Sequence, residues 1–275
     1  MMKIVRVSSY DSLSELSPDV WEGFPDVSGL SVFVKPNLVW PACYWDGWAT
    51  TRVEVTEMVV KHALEQGAKR VVVGDCGFKD QWEATMQSTE YDELMEIPNV
   101  EVIPLQDGPN FHKFTLKRLE KYRSLYGVKF SDYLLECDVI INVPKMKVHN
   151  MAGVTGAIKN MMGTMAQKGS MHPKGSVPIL HKRLADLYDL TKNMVNFTVM
   201  DGIQGTEFSE QCGFPRNSNV LLFGTDQWEI DVAAAKLMGF DPSKIRYLRY
   251  INNDFDAVTV PKRLRQDYEK PLSWK

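Results

Sequence analysis

The sequence has few cysteines, and they lie far apart. The 275 residues contain four of them: Cys43, Cys76, Cys137 and Cys212. No two have the Cys-x-x-Cys spacing that is typical of a zinc ribbon, a ferredoxin-type cluster or a redox dithiol. We therefore expect reduced, mostly buried thiols and no iron–sulfur cluster.

Long apolar runs and an excess of positive charge are also missing. No segment reaches the ~18 consecutive apolar residues that a membrane helix needs, and the N-terminus lacks the apolar stretch of a signal peptide. The formal net charge is -3 and the pI is about 6.0, so the whole chain has no positive field that would attract nucleic acid or anionic lipid. We expect a cytoplasmic protein with neither nucleic acid nor membrane among its partners.

Two common nucleotide-binding loops are absent as well. No Gly-x-x-x-x-Gly-Lys-Ser/Thr motif occurs, and the glycine-bearing run "VVVGDCG" is not the Gly-x-Gly-x-x-Gly fingerprint of dinucleotide-binding folds. The sequence therefore leaves the cofactor unknown, with a flavin and a divalent metal ion as open candidates.

Strand and helix patterns alternate along most of the chain. "KIVRVSSY", "LSVFVKPN", "RVVVGDCG" and "NVEVIPL" are typical of strands, and "TTRVEVTEMVVKHALEQGAK" has the helical period between two of them. Thr51 and Glu54 suggest a capping box for that helix, and Gly67 a left-handed C-terminus. "DQWEATMQSTEYDELMEI" predicts a second helix, whereas about 106–126 has no clean period.

The same alternation resumes after residue 127. "VNFTVMDG" and "NVLLFGTD" predict strands, and "DQWEIDVAAAKLMGF" predicts a helix with an N-terminal cap at Asp226. We predict an α/β fold with a mostly parallel sheet and helices on both faces. The length suits one domain over 1–275, with two associated α/β lobes at 1–105 and 127–275 as an open alternative.

Polar residues follow the predicted strands where each strand ends. Lys35 and Asn37 end the second strand, and Asp75 and Asp201 end later ones. Since the carboxyl ends of parallel strands meet at one edge of a sheet and bind ligands there, we expect these side chains to lie close together.

The most informative stretch is "DVIINVPKMKVHNMAGVTGAIKNMMGT", Asp138 to Thr164. Pro144 should end the strand, and the alternation of Lys145, Lys147 and His149 would put all three on one side of an extended turn. A short helix is predicted after Gly156, and its N-terminus would also attract negative charge. The stretch therefore predicts a site for an anion. Its other candidate residues are Thr155, Lys159 and Asn160.

Two further groups of residues bear on the site. The loop "WPACYWDGWATT" is rich in tryptophan, so Trp45 could line a pocket for a planar anion, or the loop could join subunits of a homo-oligomer. His172, His181 and Asp75 are weak candidates for metal ligands beside His149, since no His-x-His or His-x-x-x-His spacing supports them.

These motifs carry a resemblance to a known family. "VKPNLV", "GAKRVVVGD", the Lys-x-Lys-x-His run, "TGAIKNMMG", "MDGIQGTE" and the Thr-Asp-x-x-x-x-Asp run resemble the uncharacterised DUF362 proteins, some of which carry a ferredoxin-like iron–sulfur module. The resemblance covers most of the chain but not that module, and the loop "QGTEFSEQCGFPRNS" departs from the family pattern. The resemblance points to the following residues: Lys35, Asn37, Lys147, His149, Lys159, Asn160, Asp201, Asp226 and Asp231.

Three functions stay open at this point. The first is an enzyme that acts on a small carboxylate- or phosphate-bearing metabolite by proton transfer or redox chemistry. Lys147 and Lys159 would hold the anion, His149 would be the general acid or base, and Asp201 or Asp75 would orient the histidine or bind a cation. The substrate-binding candidates are Lys35, Asn37, Lys145, Asn160, Thr155 and Trp45. The alternatives are a redox, cofactor or metal-binding protein that works with a separate electron carrier, and a non-catalytic anion-binding protein.

Overall fold

The structure is a computed structural model that describes residues 2–38, 48–77, 81–105, 114–166, 171–172, 176–211 and 213–274. The strands are β1 (Met2–Arg6), β2 (Ser31–Pro36), β3 (Arg70–Asp75), β4 (Val100–Pro104), β5 (Phe114–Arg118), β6 (Gly127–Ser131), β7 (Val139–Val143), β8 (Lys145–His149), β9 (Gly153–Thr155), β10 (Phe197–Glu207) and β11 (Phe214–Gly224). The α-helices are α1 (Val53–Glu65), α2 (Trp82–Ser88), α3 (Asp132–Glu136), α4 (Ala157–Asn160), α5 (Val177–Thr191), α6 (Gln227–Leu237) and α7 (Arg246–Ile251).

Nine of the described strands form one mixed sheet. Its main path runs β1-β11-β10-β7-β2-β3-β4, with β8 paired to β10 and β9 paired to β8. The neighbours from β10 through β7, β2 and β3 to β4 are parallel, as are β8 and β10, while β1, β11 and β9 join antiparallel. The α/β prediction with a mostly parallel sheet is confirmed. Strands from both ranges considered as lobes, 1–105 and 127–275, hydrogen bond to each other in this sheet.

The alternation of side chains along each strand builds a core on either face. Val32 and Val34 of β2 lie in one apolar cluster, while Phe33 between them lies in the other. The first cluster also takes Val55 and Val59 of α1, and the second takes residues of α5, α6 and α7. Because both faces are covered by helices, the central strands are apolar on both sides, as their sequences predict.

Two of the helix ends agree with the signals predicted from the sequence, and one does not. Gly67 has φ +90°, and the carboxylate of Asp226 accepts from the amides of Trp228 and Glu229 at the start of α6, so both predictions are confirmed. The capping box at Thr51 is wrong, since α1 begins after Arg52 with no side-chain cap. Thr51 Oγ1 instead donates to the carbonyl of Val143 at 2.8 Å, which ties the start of α1 to the end of β7.

The segments between the main elements are less regular than predicted. The second predicted helix is split into α2 and a 3-10 helix, Tyr91–Glu96, because Glu90 takes a left-handed conformation with φ +61°. The irregular segment contributes β5, which pairs antiparallel with β6. Over the described residues, no helix is both long and apolar enough to cross a membrane.

Candidate functional site

Pro144 marks a change of one neighbouring strand without ending the extended conformation. β10 pairs with the chain before and after Pro144, while β9 replaces β2 on the other side. β7 stops at Val143, and β8 continues directly from Lys145 beside β10. The predicted cationic turn is therefore wrong, because these residues form a buried strand. Met146 and Val148 enter the apolar core, and this leaves the lysines and His149 on the other side, as the alternation predicts.

A cavity of about 380 Å³ opens where these strands end. Its position at the carboxyl ends of β2 and β3 and beside β8 agrees with the site expected for a parallel sheet. Leu38, Met151 and Met162 make part of its wall apolar. The described residues of its polar wall are Asn37, Asp75, Lys147, His149, Thr155, Lys159, Asn160, His172, Glu210 and Gln211.

Lys147 is the most deeply buried cation in the cavity wall, with 1% of its surface exposed. Its Nζ donates to Asn37 Oδ1 at 2.8 Å and to the carbonyl of Ala49 at 2.7 Å. Burial, followed by the nearby positive charge of Lys159, lowers the pKa of Lys147 to about 7. Both protonation states of this amine are therefore populated near neutral pH.

A chain of amide side chains fixes the position of Lys147. Asn37 Nδ2 donates to Asn160 Oδ1 at 2.9 Å, and Asn160 Nδ2 donates to Asn142 Oδ1 at 2.8 Å. Asn142 was not among the predicted residues, although its polar side chain interrupts the apolar run "VIINV". Since buried amides keep their hydrogen bonds, this network links β2, β7 and α4 behind the cavity.

His149 has its tautomer set by the backbone. Its Nδ1 accepts from the amides of Met151 and Ala152 at 3.0 and 3.1 Å, so the neutral ring carries its proton on Nε2. Burial and the positive charge of Lys159 hold the pKa of His149 well below its usual range. In this neutral form the ring presents an N–H donor at Nε2. Its Nε2 lies 3.9 Å from Glu210 Oε1, a cavity residue that sequence reasoning missed.

Thr155 places a hydroxyl in the cavity wall without a partner in the described structure. Its side chain is 3% exposed, and its Oγ1 makes no hydrogen bond there. A buried hydroxyl left unpaired costs about 1–3 kcal/mol. A hydrogen-bond partner for this hydroxyl would remove the cost.

The N-terminus of α4 is already occupied by a carboxyl group of the protein itself. The carboxylate of Asp231, on α6, accepts from the amides of Ala157 and Ile158, and Tyr247 donates to it at 3.0 Å. Burial raises the pKa of Asp231 to about 7 in spite of these hydrogen bonds. The prediction that this helix end receives an external anion is therefore wrong.

Three predicted residues lie behind the cavity wall and do not line it. Lys35 pairs with Asp75 at 2.9 Å, and Lys145 pairs with Asp201 at 2.6 Å. Asp201 is fully buried and also accepts from the Tyr10 hydroxyl at 3.2 Å. Its oxygens accept from Lys145 and Tyr10, and Asp201 is not among the described residues that line the cavity.

Of the weak metal candidates, Asp75 and His172 line the cavity beside His149, and His181 does not. His172 lines the cavity with its ring centroid 5.9 Å from that of His149, but His181 accepts from the amide of Tyr247 through Nδ1. The carboxylate of Asp75 forms an ion pair with Lys35 and accepts a hydrogen bond from the amide of Leu38. Among the described residues, no three His, Cys, Asp or Glu side chains form a group that could hold a metal ion. Trp45 lies outside the described residues.

The depressed pKa of Lys147 makes a testable prediction about stability. Between about pH 7 and the ordinary lysine value of 10.5, the unfolded chain binds the proton that the folded chain has lost, so folding becomes more favourable as pH rises. Relative to Lys147→Met, the wild type should gain up to about 1.4 kcal/mol of unfolding free energy per pH unit in this window. Urea unfolding at several pH values measures this, and a constant difference would contradict it.

Two comparisons with known proteins agree with the motifs. The chain is 22% identical over 222 residues to a thylakoid-associated protein of Synechocystis sp., a match that covers 79% of this chain and 65% of the relative's length. The family model described as a domain of unknown function, DUF362, matches residues 32–236, which include most of β2, the described cavity residues and most of α6. The chain therefore belongs to the DUF362 family.

Proposed function

We propose that the protein is an enzyme that acts on a small metabolite bearing a carboxylate or phosphate group. The observation that carries this proposal is the convergence of Lys147, Lys159 and the unpartnered hydroxyl of Thr155 on one cavity. Two lysines at one small cavity repel each other, and an anion between them would relieve that repulsion.

The cavity residues suggest how the substrate would be held. Lys159 would pair with the anionic group, while Thr155 Oγ1 and His149 Nε2–H would donate to further oxygen atoms. Leu38 and Met162 would contact a short carbon skeleton, and a cavity of about 380 Å³ suits a compact molecule. His149 would act as a neutral donor, and this favours polarisation of a carbonyl over proton abstraction by its ring.

Ligand binding tests the anion site. We expect small carboxylates or phosphates, screened by thermal shift and titrated by calorimetry, to bind about tenfold more weakly to Thr155→Val than to the wild type. Lys159→Met should weaken binding by about 10- to 100-fold, since it removes the charged partner. Lys61→Met, at an exposed position on α1, is the matched control. Equal binding by all four proteins would contradict the site.

Turnover separates an enzyme from a protein that only binds anions. Native mass spectrometry of the purified protein would identify a bound metabolite, and NMR would then follow its conversion. Binding with no conversion would favour the non-catalytic alternative. The redox alternative predicts a bound flavin or divalent metal ion. Visible absorbance of the purified protein tests for the flavin, and metal analysis tests for the ion.

Location and assembly also belong to the proposal. We propose a cytoplasmic protein with a small anionic molecule as its partner, and a homo-oligomer through the tryptophan-rich loop. Cell fractionation tests the location, and the mass of the native protein before and after Trp48→Ala tests the assembly.

A further inference from the structure

Three buried lysines surround the ends of β2 and β8, and they differ in their partners. Lys35 and Lys145 are each within 2.9 Å of a buried carboxylate. Lys147 is as deeply buried, but its hydrogen-bond partners in the described structure are an amide oxygen and a peptide carbonyl. Of the three, Lys147 also lines the cavity. The fold thus neutralises two of these lysines with a directly bonded anion and leaves the third to be neutralised in another way.

The surroundings of Lys147 favour the uncharged amine. A buried ammonium group without a bonded carboxylate loses its hydration and tends to release its proton. A neutral amine has two N–H bonds and one lone pair, and the two hydrogen bonds of Nζ use both N–H bonds. The charged or titratable groups around the cavity are Lys159, His149, His172, Glu210 and Asp75, with Lys145 behind it. Glu210 and Asp75 favour the charged form, but burial and the neighbouring lysines outweigh them.

We propose that Lys147 is a nucleophilic amine that forms an imine with the carbonyl carbon of a small aldehyde or ketone bearing a carboxylate or phosphate group. This inference rests on the proposed function, since it gives the substrate class of the same cavity. A desolvated lysine next to a second cation is a recurrent arrangement for imine formation.

The proposed step is balanced without a further reactant. The lone pair of Nζ forms a bond to the carbonyl carbon, and the electron pair of the C=O π bond moves to oxygen. The two protons of the amine are transferred to that oxygen, which leaves as water when the C=N bond forms. No atom is oxidised or reduced.

The rest of the cavity suits such a substrate. Lys159 would hold the anionic group, while His149 Nε2–H and Thr155 Oγ1 are neutral donors for the carbonyl oxygen before it leaves. Asn37 and Asn160 are positioning residues, because they hold Nζ through the amide chain.

Reductive trapping tests the inference on the wild-type protein. Glyoxylate is a small anionic aldehyde, and cyanoborohydride reduces its imine with lysine to a stable carboxymethyl-amine. Peptide mass spectrometry should find Lys147 modified at least about tenfold faster than exposed Lys61 at pH 7. Lys35 and Lys145 should stay unmodified, and the rate at Lys147 should rise through about pH 7. Modification of Lys61 without Lys147 would overturn the inference.

A second measurement separates this inference from the proposed function. Glycolate resembles glyoxylate but has no carbonyl group outside its carboxylate, so it can occupy the cavity without forming an imine. Lys147→Arg should lose the trapped product at position 147, because a guanidinium does not form the imine, while the slow modification of exposed Lys61 should stay unchanged. If Thr155→Val weakens glycolate binding but wild-type Lys147 is never trapped, the inference of an imine is wrong, while the proposed anion site is supported. If glycolate does not bind and Lys147 is not trapped, the proposed anion site is wrong as well.

Discussion

Asp201→Asn is expected to lower the free energy of unfolding by about 3–5 kcal/mol, because it removes the charge of one partner in a fully buried ion pair. Lys145 would stay in the interior opposite a neutral amide, with both side chains at 0% exposure. Asparagine would also replace an acceptor oxygen by a donor near Tyr10 and the amide of Arg52. Urea unfolding followed by circular dichroism measures the loss.

An exposed ion pair provides the control for Asp201→Asn. Arg70 pairs with Glu101 at 2.7 Å, but their side chains are 39% and 48% exposed, so Glu101→Gln should cost at most about 1 kcal/mol. The double variant Lys145→Met, Asp201→Leu should be more stable than Asp201→Asn, since no buried charge is left without a partner. Equal losses of unfolding free energy for Asp201→Asn and Glu101→Gln would contradict the prediction, because the buried pair would then contribute no more to stability than the exposed pair.

Gly156→Ala is expected to destabilise the protein by about 3 kcal/mol through the start of α4. The backbone at Gly156 has an ordinary φ of -137°, so the chain conformation itself accepts alanine. The added Cβ would instead overlap Oδ1 of Asp231, which is buried and held by the amides of Ala157 and Ile158. Moving this carboxylate would break its hydrogen bonds in the interior. Urea unfolding again measures the loss.

A double-mutant cycle tests the cause of this effect. Asp231→Ala alone should also destabilise the protein, because it leaves the amides at the start of α4 without their acceptor. In the double variant Gly156→Ala, Asp231→Ala the overlap is gone, so the total loss should be smaller than the sum of the two single losses by about 1–2 kcal/mol. Additive losses would mean that the Cβ does not act through Asp231.

Much of the candidate site could be predicted because its residues follow strands that are easy to recognise. Asn37, Lys147, His149, Thr155 and Asn160 were all named from the sequence, and the structure places all five at one cavity. The reason is geometric, since parallel strands bring their carboxyl ends to the same edge of a sheet. Asn142 and Glu210 were not predicted. Asn142 interrupts the apolar run "VIINV", but neither this interruption nor a glutamate in a hairpin shows which residues it contacts in the fold.

The sequence by itself determined the fold class, the two-faced apolar core and the edge of the sheet at which polar residues collect. These depend on local periodicity and on strand ends, which are visible along the chain. Only the tertiary structure decided which lysine meets a carboxylate and which one meets neutral acceptors at the cavity. It also put Asp231, from 74 residues further along the chain, at the helix end that was expected to take an external anion. Such pairings depend on which elements pack together in three dimensions, and spacing in the sequence does not encode them.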